Sequence, residues 1–324
     1  MTVAVAPRAG RPALSAARVL YLVMVAGALA WLVWHRRHDL ADLLGEAKID
    51  LLALALAISF AQLWLSAGFW AMALRSLGEP LPFATVLDAT ARSVLARYIP
   101  GSVWYAVGRS ALLRRHQVSG RSLGAVAVLE TGLSVVVGFV LGAALLVVAG
   151  DVAPGIGAAG LACVVVAAAA CSPPSVNRLL AWYAGRRGGL APRLNWPQFA
   201  GLVAWLAVFW AGAAASFVVF LHAFPGVVAH VGFPSVLLVA GAFMVARVLG
   251  MLAVFAPQGL GVFEVAVAAL LLNAAPDAGA GLAGLVLVVA GYRALGLVRD
   301  TLALGVFEAR HSARGARAAQ PGSP

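Results

Sequence analysis

The chain has 324 residues, of which 63% are hydrophobic and only 11% charged, and its mean hydropathy is +0.96. A soluble domain of this size carries roughly twice that charge fraction, which excludes a conventional soluble enzyme. The net charge of +11 invites a nucleic-acid reading, but Lys48 is the only lysine among 23 basic residues. Such a skew points to coding bias, so where the arginines sit says more than how many there are, and nucleic acid is not an expected partner.

Residues 1–15 read as a cytoplasmic N-terminal tail. Apolar stretches that approach or exceed the roughly 18 residues needed to cross hydrocarbon follow near 16–34, 50–74, 122–149, 154–172, 198–221, 235–256 and 279–307. The first is bounded by His35-Arg36-Arg37 and reads as a retained signal anchor rather than a cleaved one. Trp31, Trp34, Trp70, Trp182 and Trp196 sit near span ends, where indoles favour the interface. Cys163 and Cys171 share one apolar segment and read as small packing residues rather than as a metal site or disulfide. A shorter segment from Pro257 to about Asn273 is an eighth candidate, and 308–324 reads as a basic, disordered tail.

Basic residues in the loops set orientation. With the N-terminus inside, the clusters at 8–18, 75–121, 178–193 and 310–317 face the cytoplasm, leaving Arg36, Arg37 and Lys48 outside. That bias requires an even number of crossings. The expectation is an all-α polytopic bundle over 16–307 with about eight crossings and both termini in the cytoplasm.

Segment 81–109 does not fit a lipid-facing span, because Asp88, Arg92, Arg97 and Arg109 lie along it. Asp88 and Arg92, four apart, can pair on one helix face. Pro100 and Gly101 then break the helix, since proline lacks a donor and glycine permits other dihedrals. A broken helix at membrane depth needs protein or a wet cavity around it. The segment therefore reads as helix, break, helix, lying in or dipping into the cytoplasmic leaflet.

The second half carries a comparable interruption: Arg247 lies ten residues before Pro257, and Gly259 and Gly261 follow. Paired interruptions suggest a weak internal repeat and point to a transporter's central site. Six ionisable residues fall within the spans, namely Glu130, Arg247, Glu264, Arg293, Arg299 and Asp300. Each costs roughly 2.5–3.5 kcal/mol at a helix centre, so they are expected to face one interior. Arg293 and Asp300, seven apart, share a helix face, where a purely structural ion-pair network is the rival to a binding role. Arginine suits phosphate because its planar fork donates two parallel hydrogen bonds. Glu264, near a helix start, reads either as a first-turn acid or as a group that orients an arginine.

Other chemistries leave no trace. The lone lysine sits in GEAKID, so a Walker-type phosphate loop is excluded, and HExxH, CxxC and GxSxG do not occur. His222 and His230 read as ordinary loop residues. No catalytic role, cofactor or metal is expected.

The segment YIPGSVWYAVGR, Tyr98 to Arg109, and the segment PQGLGVFE, Pro257 to Glu264, resemble paired motifs of the flippase-like family built on the transmembrane region of lysylphosphatidylglycerol synthases. Tyr292-Arg293 and Glu130 match further positions, and the likeness covers roughly 15–307. Gln258 departs from a usual glycine and Thr131 from a frequent arginine, and the soluble lysyltransferase domain is missing. The resemblance implies movement of a lipid between leaflets, such as an aminoacyl-phospholipid, a polyprenyl-phosphate sugar or a hopanoid-like lipid, rather than its synthesis. The expected binding residues are Arg92, Arg97, Tyr98, Arg109, Arg247, Glu264 and Arg293, with membrane lipids as partners and a lipid-modifying enzyme as a further one. Two rival readings remain, a membrane-embedded lipid-phosphate transferase using Glu130 or Glu264 as base, and a scaffold that anchors another protein.

Overall fold

The computed structural model describes residues 44–98, 104–150, 172–185, 193–230, 235–253, 256–273 and 282–319, with isolated positions at 24, 27, 31 and 34. The helices are α1 (Ile49–Ser76), α2 (Phe83–Ser93), α3 (Trp104–Leu113), α4 (Gly120–Ala149), α5 (Pro173–Gly185), α6 (Trp196–His222), α7 (Pro225–His230), α8 (Val236–Leu252), α9 (Val262–Asn273) and α10 (Leu282–Ala319). Short 3-10 turns at Val94–Tyr98 and Pro257–Gly259 extend α2 and precede α9. No strand occurs among the described residues. The expected spans at 16–34 and 154–172, the cysteines, and the break residues Pro100 and Gly101 lie outside those residues, isolated positions apart.

Local chemistry fixes the ends. Asp50 and Arg75 stand in the first and last turns of α1, each complementing the helix dipole. Ser119 and Ser235 cap α4 and α8, accepting the Ser122 and Leu238 N–H groups at 3.1 Å. Asn195 and Gln198 form a reciprocal capping box at the start of α6. Three helices, α1, α4 and α6, are long and apolar enough to cross a membrane. By contrast α8 and α9, of 17 and 12 residues, reach only about 26 and 18 Å. Neither alone covers the roughly 30 Å hydrocarbon layer, and the two pack side by side across the turn that joins them.

The bundle closes through small residues and cross-helix hydrogen bonds, the means available where lipid removes the hydrophobic drive between helices. Helix α1 packs along α6, and α4 along α8. At the second contact a Cβ on Gly241 would stand 2.9 Å from the Gly142 carbonyl oxygen. Trp205 donates to the Leu65 carbonyl at 2.7 Å, Trp210 to that of Ser134 at 3.0 Å, and Ser216 to that of Ala55 at 2.8 Å.

Three expectations need correction. Trp70 is not an interfacial indole: it is wholly buried, and its N–H donates to Glu130 at 2.7 Å, an acceptor that hydrocarbon does not offer. His222 closes α6 rather than sitting in a loop, with Nδ1 2.8 Å from the Val218 carbonyl of its own last turn. Residues 308–319 continue α10 as helix, in keeping with their alanines and arginines, and Glu308 there meets Arg92 of α2 at 2.7 Å.

Candidate functional site

A cavity of about 1050 Å³ opens among α1, α3, α4, α6, α8, the turn before α9, and α10. Its floor is aromatic: Phe243 and Phe263 line it, and they pack with Phe217 and Tyr292 at ring-centre separations of 4.8–6.2 Å. Its side wall includes Val107 and Val128, which are also 51% and 43% exposed, so the mouth is rimmed by apolar side chains that face outward.

Five arginines line this space, Arg97, Arg114, Arg247, Arg293 and Arg299, against two carboxylates, Glu130 and Asp300. Five less two leaves a surplus of three positive charges on the wall. Behind it Arg109 and Glu264 add one charge of each sign and leave the surplus unchanged.

Most of these charges are held in networks. Glu130 accepts from Trp70, from Ser66 at 3.1 Å and from Arg109 at 3.4 Å. Arg109, wholly buried, also bonds Ser66 at 3.0 Å and the Tyr105 hydroxyl, with its guanidinium stacked over the Trp70 and Tyr105 rings at 4.6 and 4.2 Å. Asp300 accepts from Tyr98 at 3.0 Å and pairs with Arg299 at 2.6 Å and Arg97 at 3.6 Å. Arg293 pairs with Glu264, donates to the Gln258 carbonyl at 3.1 Å and lies 5.3 Å above the Phe263 ring.

Arg247 and the exposed Arg114 differ: each lines the cavity, and neither side chain has a hydrogen bond or ion pair among the described residues. Arg293, Arg97 and Arg299 stand near enough to Arg247 to repel it. Buried side-chain nitrogens of Gln62 and Gln258, two more lining residues, also lack an acceptor.

The second break is built from left-handed backbone. Gly259 and Gly261 have φ of +70° and +85°, and Gln258 between Pro257 and Gly259 has φ +51°. A residue with a Cβ pays for that conformation, which explains why the motif this turn resembles carries glycine there. The turn lies hard against α8, where a Cβ on Gly259 would come within 2.3 Å of the Gly250 Cα. Glu264 accepts the Gly261 N–H at 2.7 Å, so it serves both as the first-turn acid and as the partner of Arg293.

Of the residues singled out in the sequence, the structure gathers Arg97, Tyr98, Glu130, Arg247, Arg293, Arg299 and Asp300 at one cavity. Arg109 and Glu264 stand behind its wall as partners of lining residues, and Glu264 is only 1% exposed. Arg92 is not at the cavity; it pairs with Asp88 at 3.6 Å and with Glu308. Arg293 and Asp300 share a helix face as their spacing requires, but each pairs elsewhere, because α9 and the α2 extension bring closer partners. Sequence reasoning missed Gln62, Tyr105 and Arg114. The polar stripe Ser59, Gln62, Ser66, three and four apart in an apolar helix, was the available signal for the first.

The family model described as the lysylphosphatidylglycerol synthase TM region matches residues 17–302. No curated protein matches the chain. Taken with the three membrane-length helices, that match makes this a multi-pass membrane protein.

Proposed function

Because the chain belongs to the family of the lysylphosphatidylglycerol synthase transmembrane region, we propose that it moves an anionic or lipid-linked headgroup between the leaflets of a bacterial inner membrane. The observation that carries this reading is the cavity's surplus of positive charge, with Arg247 unpartnered among the described residues and facing it. A charged headgroup crossing hydrocarbon loses its hydration at large cost. Fixed arginines replace part of that hydration, while the outward-facing rim at Val107 and Val128 lets acyl or prenyl tails stay in lipid. The reading is of a carrier, not a catalyst: Glu130 and Glu264 are engaged by arginines and other donors and serve to position them.

Eight crossings, with both termini and the basic loops in the cytoplasm, remain the arrangement we favour. The interrupted elements α2–α3 and α8–α9 then meet at the headgroup site, as paired broken helices do in transporters. The test is reconstitution of the full chain into liposomes carrying a fluorescent anionic phospholipid in one leaflet. Protein-dependent exposure of the label in the other leaflet is expected. Exchange no faster than in protein-free vesicles, with or without pH and potential gradients, would sink the proposal.

A further inference from the structure

We infer that the headgroup taken by this cavity is an unmasked, multiply charged phosphate, a monoester or diphosphate, and that headgroups bearing an ammonium are rejected. The inference rests on the translocation reading and narrows it, and it is decided by which polar groups at the cavity are still free. The charged side chains still free are donors: Arg247 offers five N–H groups in a planar fork, and Arg114 on the same wall has no side-chain partner among the described residues either. The carboxylates are engaged. Glu130 already receives Trp70, Ser66 and Arg109, and Asp300 receives Tyr98, Arg97 and Arg299.

An ammonium-bearing headgroup therefore finds a wall with three surplus positive charges and no vacant carboxylate. A phosphate monoester, carrying about −1.5 to −2 at neutral pH with three strong acceptor oxygens, meets both conditions. A phosphodiester brings only one negative charge and answers the surplus less well. The aminoacyl-phospholipid class, which the family resemblance alone would suggest, is the one the wall fits worst.

The test uses the full chain in nanodiscs of zwitterionic phosphatidylcholine, titrated with phosphatidic acid, phosphatidylglycerol and lysyl-phosphatidylglycerol. Phosphatidic acid is expected to bind at least about tenfold tighter than phosphatidylglycerol, a difference of about 1.4 kcal/mol, and lysyl-phosphatidylglycerol to compete with neither. Arg247→Ala should erase the preference and Arg247→Lys should retain part of it, whereas Arg75→Ala, which removes an exposed charge at the end of α1, should leave it intact. Soluble pyrophosphate is a separate arm: binding it while ignoring phosphatidic acid would keep the phosphate chemistry but place the ligand in solution, and would tell against lipid translocation. Equal or tighter binding of lysyl-phosphatidylglycerol overturns the inference, as does an unaltered preference in folded Arg247→Ala. Liposomes that flip lysyl-phosphatidylglycerol without favouring phosphatidic acid would sink this inference and leave translocation standing.

Discussion

Arg109 on α3 and Glu130 on α4 form an ion pair at 3.4 Å in which the arginine is wholly buried while the carboxylate reaches the cavity. The pair joins α3 to a membrane-length helix. Breaking a buried pair from one side leaves an uncompensated charge and costs about 3–5 kcal/mol. Glu130→Ala is therefore expected to lower the thermal midpoint strongly. Glu130→Gln should lose less, because its one amide oxygen can keep the bond from Trp70 while its NH2 meets the Ser66 hydroxyl, which can accept. Midpoints measured in detergent for both variants check the order, and an unchanged Glu130→Ala midpoint contradicts it.

Arg247 and Arg293 look alike in sequence, and the structure separates them. Arg293 holds α10 to the start of α9 through Glu264, so Arg293→Ala should destabilise by roughly 3 kcal/mol or more by stranding a buried carboxylate. Arg247 has only like charges near it, so Arg247→Ala should leave the midpoint level or raise it while abolishing lipid movement. Stability lost at a functional residue and regained on its removal is the expected trade-off. Circular-dichroism melts beside the liposome assay read both quantities, and a destabilised Arg247→Ala counts against a binding role.

How much of this was legible in the sequence depends on whether a feature is local. Helix positions followed from apolar run length, as at 50–74 against Ile49–Ser76 and 122–149 against Gly120–Ala149. The Asp88–Arg92 pair followed from its spacing. Pairings that span the chain were not legible: Tyr98 reaches Asp300 across 202 residues and Arg92 reaches Glu308 across 216, and no spacing rule connects such positions. For the same reason the arginines could be recognised as interior, but which of them lacked a partner could not.

The turn before α9 offers a test by glycine exchange. Gln258 sits at φ +51°, where a residue with a Cβ costs roughly 1–2 kcal/mol relative to glycine. Gln258→Gly is expected to stabilise the protein by up to about 1 kcal/mol, after subtracting the entropy glycine restores to the unfolded chain. Gly259→Ala should act the opposite way and more strongly, since its Cβ would collide with the Gly250 backbone of α8. A destabilised Gln258→Gly would mean that the amide contributes more than its backbone costs.

Glu79, in the connection between α1 and α2, predicts a pH dependence away from the membrane core. Its carboxylate accepts the Ser119 N–H at 2.7 Å and the Ser122 hydroxyl at 2.8 Å, tying that connection to the start of α4. Burial alone would raise its pKa, but the bonds from Ser119 and Ser122 together outweigh it and hold the group below the ordinary value of 4.5. A carboxylate whose folded pKa is depressed contributes stability that is present above the unfolded value and lost as pH falls through the folded one. The wild-type midpoint should therefore drop faster than that of Glu79→Gln as pH is lowered below about 4.5, and the two should run parallel at neutral pH. Ser119→Ala weakens the same anchor by removing the helix cap, worth about 1 kcal/mol, and should shrink the acid-dependent difference only in part, because the Ser119 N–H still reaches Glu79. If the midpoint difference between wild type and Glu79→Gln stays constant between pH 7 and pH 3.5, the carboxylate is not what fastens this connection.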